Sequence, residues 1–294
     1  MEGPLDPEEA TLLWRHSERL SSFHFIIPTG QAPPFRLFHG MEPPESLPSL
    51  RVFSMYGRYA DCAWPAIRRL LRATPNLVEL NLGGIPLVDS THGSSTDNLR
   101  LPNLRRISFR CPTADLMRVS AQLEYLSVST ENISIDEFRS LLEQSPGLKR
   151  LRVEESTWST GELRRMPLSQ LMSFIPALAH LDIWSFEHET AEVLFTLLAE
   201  STPGSSRILP QLQSLEIRPL NAQPSASSLE VLLTALCGRR DSLRTVRIEM
   251  SDTVTLPRFV VSPDTLASMR QLVAEGMDIY IGLFLGKQNF LSVS

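Results

Sequence analysis

The sequence predicts an α/β solenoid, with a curved parallel sheet on a concave side and helices on a convex side. Three observations lead there. An apolar residue followed by two more, three and five positions on, recurs along the whole chain. Successive copies start 19 to 34 residues apart, which leaves room for one strand and one crossover helix. The segments between copies carry apolar residues at helical spacing, several opened by a Ser or Pro start signal.

The copies run in order. Leu20, Phe23 and Phe25 make a plausible first one. Leu50, Phe53 and Met55 follow Leu47-Pro48; Leu77, Leu80 and Leu82 follow Pro75-Asn76; Leu104, Ile107 and Phe109 follow Pro102-Asn103. Then come Leu123, Leu126 and Val128, and Leu148, Leu151 and Val153 after Pro146-Gly147. Leu178, Leu181 and Ile183, then Leu212, Leu215 and Ile217, then Leu243, Val246 and Ile248 complete the series. The last two apolar positions of each copy are two apart, so both point to one face of a short strand. The first anchors the turn before it, where proline fixes the backbone and costs no ladder bond. This is the strand signature of a leucine-rich repeat.

The helices follow the same order. Residues 61–74 place Trp64, Ile67, Leu70 and Leu71 on one face. Ser134-Ile135-Asp136-Glu137 is a capping box, and Ser227-Ser228-Leu229-Glu230 is a second, opening a helix through Leu236. Residues 190–201 carry Val193, Leu194, Leu197 and Leu198. Ser262-Pro263 starts a last helix that runs out at Gly276, and Asp278 to Phe284 reads as a final strand. The stretches 88–98, 202–208 and 221–228 read as polar insertions between repeats. The expected organisation is a single domain, 1–294, of about nine to ten degenerate repeats, with a lead-in helix over 1–19 and a C-terminal cap over 263–294.

Composition narrows the function. The chain is 42% hydrophobic and 21% charged, an ordinary globular balance. A net charge of -5 gives no reason to expect a nucleic acid or an anionic membrane as partner. Cys62, Cys111 and Cys237 are scattered and odd in number, which fits an intracellular, reducing setting in cytoplasm or nucleus. The acidic start, Met1 to Asp6, lacks the apolar core of a secretory signal. Ile279 to Leu285 is too short to span a bilayer.

The tandem Leu-Pro-x-Leu-x-x-Leu-x-Leu strands, their variable period and the Ser-Pro-x-Leu-type turns resemble the C-terminal leucine-rich-repeat region of fungal F-box proteins, over nearly the whole chain. Residues 12–20 resemble the helix-to-strand approach early in that region, and 272–279 its end. The resemblance implies a protein-interaction module, the substrate-recognition region of a ubiquitin-ligase receptor. That family docks on a Skp-type adaptor through an N-terminal F-box. Only about a dozen residues precede the first repeat here, so this chain alone is expected not to bind such an adaptor. The other reading is a stand-alone scaffold or regulator, for example of a GTPase, with no ligase link. The position eight beyond each anchor, often Asn or Cys in regular repeats, holds Arg58, Ile85, Pro112 and Glu131 in successive copies, which speaks against the more regular classes.

No catalytic constellation stands out, so no enzyme, cofactor or metal is expected. Gly282-Leu283-Phe284-Leu285-Gly286-Lys287-Gln288 is one residue short of a phosphate loop and lacks its Ser or Thr. His188-Glu189 has no second His four residues on. The candidate site is instead the concave face. Residues two, four and six beyond each anchor project from it. Its middle gathers Arg106, Arg110, Tyr125, Arg150, Arg152, His180, Asp182 and Trp184. Arg, Tyr and Trp are the usual energetic anchors of protein interfaces, so a protein partner is expected here. A competing reading is that Arg152 and Asp182 simply pair across neighbouring strands.

Overall fold

The structure is a computed structural model that describes residues 14–27, 45–57, 62–83, 87–88, 99–109, 122–129, 133, 135–154, 168–186, 188–200, 208–220, 225–250, 262–283, 289 and 291. The chain divides into two compact units, Met1–Ser145 and Pro146–Ser294. Both are built from parallel strands taken in chain order, the arrangement of a leucine-rich-repeat-like β-α scaffold.

The first unit carries strands β1 (Ser22–Ile27), β2 (Val52–Gly57), β4 (Glu79–Gly83), β6 (Arg106–Phe109) and β7 (Tyr125–Ser129). They pair in that order in one register, Ser22–Val52–Glu79–Arg106–Tyr125. Two further short strands, β3 (Cys62–Ala63) and β5 (Leu87–Val88), pair with each other, where the sequence reads helix and loop. The helices are α1 (Trp64–Arg72) and α2 (Ile135–Glu143). The lead-in segment is a single 3-10 turn, Ser17–Arg19, behind two helical residues; residues 1–13 lie outside the described ones.

The second unit carries β8 (Arg150–Glu154), β9 (His180–Phe186), β10 (Ser214–Leu220), β11 (Thr245–Met250) and β12 (Asp278–Leu283). Its register is Arg150–His180–Ser214–Thr245–Asp278. Helices α3 (Leu168–Ser173), α4 (His188–Ala199), α5 (Ala226–Gly238) and α6 (Pro263–Ala274) alternate with the strands.

All nine strands of the leucine-anchored series begin two residues past their anchor, and the reason is visible in the burial. Leu50, Leu77, Leu104, Leu148, Leu178, Leu212 and Leu243 are buried, as are both apolar strand positions that follow each. The alternate positions face away from this core. Between anchors, asparagine stitches neighbouring repeats: Asn76 Nδ2 donates to the Pro48 carbonyl at 2.9 Å, and Asn103 Nδ2 to the Pro75 carbonyl at 3.2 Å. Each bond fills a turn acceptor that no strand can reach.

Helix boundaries follow their caps. Ser262 Oγ accepts from the Thr265 backbone N–H at 3.1 Å and Pro263 opens α6, as the sequence suggests. Gly276 closes it at φ 101°, a left-handed conformation that favours glycine. In α5 the cap is Ser225, which accepts from the Ser228 backbone N–H at 3.0 Å, rather than the expected Ser227 box. Ser228 instead donates to the Glu192 carboxylate of α4. Ser134 lies outside the described residues.

One buried cation orders the second unit. Arg239, 1% exposed, donates to the carbonyls of Leu198 at 2.9 Å, Leu209 at 3.0 Å and Ile208 at 2.6 Å. It satisfies acceptors at the end of α4 and in the turn before β10, where Leu209 sits at φ 50°. Among the described residues, no helix is long and apolar enough to cross a membrane.

Candidate functional site

In the second unit the open strand positions form a continuous polar ladder. Period-two alternation sends Leu151, Val153, Leu181, Ile183, Leu215 and Ile217 into the core, so their neighbours must face the other way. The four-beyond row reads Arg152, Asp182, Glu216, Arg247 and Tyr280, and the six-beyond row reads Glu154, Trp184, Arg218, Glu249 and Gly282.

Trp184 stands at the centre. The Arg152 guanidinium carbon lies 4.3 Å from its ring centroid and that of Arg218 4.9 Å, one from each neighbouring strand. Both distances are within cation–π range. Asp182 lies between the same two arginines, 3.8 Å from Arg152 Nε and 3.4 Å from Arg218 Nη2. Arg152 also reaches Glu154 at 2.8 Å, and Arg218 reaches Glu216 at 3.0 Å. Further along, Arg247 pairs with the buried Glu249 and lies 4.7 Å from the Tyr280 ring centroid. The cross-strand pairing of Arg152 with Asp182 is therefore real, and it is one link of a longer chain.

His180 and Arg150 occupy the two-beyond row as direct register partners. Burial lowers the His180 pKa, the Arg150 guanidinium lowers it further, and Glu216 opposes both. The imidazole is thus held neutral to a lower pH than usual.

The predicted residues fall into both units. Arg150, Arg152, His180, Asp182 and Trp184 come together in the second. Arg106 and Tyr125 are register partners in the first, where Arg106 pairs with Glu79 at 3.5 Å. Arg110 lies outside the described residues. Arg218, Glu216 and Tyr280 were not singled out by the sequence. Arg218 and Glu216 do fall at outward offsets of the strand register, six and four past Leu212, but the sequence does not say that they join Trp184 and Asp182. Tyr280 is hidden because its strand has Gly276, not leucine, at the anchor position.

Indole, guanidinium and carboxylate groups lie side by side on a sheet face. Among the described residues, no group of three or more His, Cys, Asp or Glu side chains could hold a metal ion.

No family model matches the chain, and no curated protein matches it. Among solved structures it is similar to a protein from Bacteroides fragilis, a structural-genomics target. The two share 13% identity at a TM-score of 0.44, over 99% of this chain and 75% of that one.

Proposed function

We propose that this chain is a non-catalytic protein-interaction scaffold, acting inside the cell, whose second unit binds a partner protein across its open strand face. The observation that carries the reading is Trp184. A large aromatic side chain stands on the face opposite the core, fixed there by arginines from both neighbouring strands. Aromatic and arginine side chains held rigid before binding lose little entropy on association and dominate interface energies. The finer reading is the substrate-recognition region of an F-box-type ubiquitin-ligase receptor. It rests on the likeness of the Leu-Pro-x-Leu-x-x-Leu-x-Leu strands to that family.

The test is proximity labelling with the wild type and with an Arg150→Ala, Arg152→Ala, Trp184→Ala variant. Loss of an interface anchor costs roughly 2 kcal/mol or more, so partners should drop out of the labelled set. Circular dichroism confirms that the variant is folded. A folded variant that keeps every partner removes the site from this face. Coupling of partner labelling to ubiquitination in the same cells separates the ligase reading from that of a stand-alone scaffold.

A further inference from the structure

The ladder described above leaves two charges over. At the open positions of β8 to β12, Arg152, Glu154, Asp182, Glu216, Arg218, Arg247 and Glu249 are all engaged in ion pairs with one another. Arg150 and Asp278 are exposed and take part in no ion pair among the described residues. They are the two ends of one straight row, Arg150–His180–Ser214–Thr245–Asp278, which crosses five parallel strands in a single register.

Four strand spacings of about 4.8 Å put the ends roughly 19 Å apart. That is about two Debye lengths at physiological salt, so the two charges cannot satisfy each other. Between them lie an imidazole and two hydroxyls, all half-exposed and able to exchange hydrogen bonds with a backbone laid over them. On one side the row is flanked by the charged side chains of Arg152, Asp182, Glu216 and Arg247, which are two residues further along their strands. A single straight row of side chains, flanked by charged ones along one side, suits an extended chain better than a helix of about 10–12 Å diameter.

We propose that this row is a seat for one extended segment of the partner protein, with an acidic side chain over Arg150 and a basic one over Asp278. The proposal rests on the reading of this face as a partner-binding surface and adds the chemistry of what it binds. At about 3.3 Å per residue, an extended chain covers the distance in roughly six residues. The segment therefore carries an acid and a base about five to seven positions apart, and its direction is fixed by the polarity of the row. Opposite charge at each end also rejects a segment lying the other way, because each end would then meet like charge.

The experiment is selection of a displayed random peptide library on the full chain. Peptides enriched on the wild type should pair an acid and a base at that spacing, in one constant order. The double variant Arg150→Glu, Asp278→Arg should enrich the opposite order, and Arg150→Ser, Asp278→Ser should lose the spacing. Both substituted residues are exposed, and thermal unfolding shows whether each variant folds as the wild type does. An order left unchanged by the charge swap overturns the row. If peptides lack the spacing but disappear with Trp184→Ala, the row falls and the partner-binding reading stands. If the folded wild type enriches no peptide at all, both fall.

Discussion

The two units share one backbone plan and present different chemistry along the row four beyond the anchor. In the first, that row is small and uncharged across Ser54, Asn81, Ser108 and Ser127. Ser54, Ser127 and Ser129 are buried, and Asn81 Nδ2 donates to Ser54 Oγ at 3.2 Å and to Glu79 Oε1 at 2.9 Å. Its large side chains at the strand ends are apolar: Ile26 is 48% exposed and Tyr56 45%. The Tyr56 ring lies over Gly83, where a Cβ would come within 2.6 Å of it. Glycine is what lets the ring lie flat. In the second unit the corresponding row holds Arg152, Asp182, Glu216 and Arg247, and Arg152 and Asp182 join Arg218 of the next row around Trp184. A period-two strand commits only half its residues to the core. The other half is free to differ, and here it differs by unit without a change in the core pattern.

The comparison breaks first if the cores are not equivalent. Leu80 on β4 and Leu215 on β10 are both fully buried at the same repeat position. Each substitution to alanine should destabilise its unit by about 2–5 kcal/mol, through lost burial plus the cavity left behind. Amide exchange followed separately in each unit measures this. A cost confined to one unit would mean that the two cores are packed differently despite their common pattern.

A smaller effect should separate the faces. Asp182→Ala removes the acceptor shared by Arg152 and Arg218 and leaves two guanidinium groups flanking Trp184 with their mutual repulsion. The expected loss is about 2 kcal/mol, in the range for hydrogen bonds to charged groups. Asn81→Ala, in the corresponding four-beyond row of the first unit, loses one bond to the Ser54 hydroxyl and one to the Glu79 carboxylate but leaves no like charges facing each other, so the expected loss is smaller, about 1 kcal/mol. A cycle of Asp182→Ala with Arg152→Ala, read by chemical denaturation, should show coupling between the two sites. Zero coupling would reduce the 3.8 Å approach to coincidence.

These differences mark what the residues alone can reveal. The nine leucine-anchored strands are legible because their signal is strong and local: one turn anchor and two alternating core positions. The tenth strand is legible from Asp278 onward as an apolar alternation, but it does not look like a repeat. Its anchor position holds Gly276, which the end of α6 needs at positive φ. The pairing of Arg152 with Asp182 follows from strand spacing. That Arg218 closes the same network depends on rotamers, and no pattern states those. The cap of α5 is ambiguous in a run rich in serine, where Ser225, Ser227 and Ser228 all offer a hydroxyl; the packing of Glu192 against Ser228 decides it. Arg239 is the least legible of all. An arginine after a helix ordinarily reads as solvated, and the three carbonyls that bury it are brought together only by the folded chain.

The smallest expected effect is the pH response of His180, and its sign is set by the same face. Burial and then Arg150 lower its folded pKa, with Glu216 opposing. Well above the ordinary imidazole value of about 6.5, the side chain is neutral both folded and unfolded and contributes no pH dependence. As pH falls through that value, the unfolded chain takes up the proton first, because only there is the imidazolium well solvated. Stability of the second unit therefore declines with acidification until the folded form also protonates. His180→Gln keeps a polar side chain but removes the titration, so the difference in urea midpoint between variant and wild type should widen in the variant's favour from pH 8 to pH 5.5. Arg150→Gln should remove only part of the decline, since burial is the larger cause. A difference that stays constant across this range would mean that His180 is as well solvated in the sheet as in the unfolded chain. A decline abolished entirely by Arg150→Gln would reverse the order of the two causes.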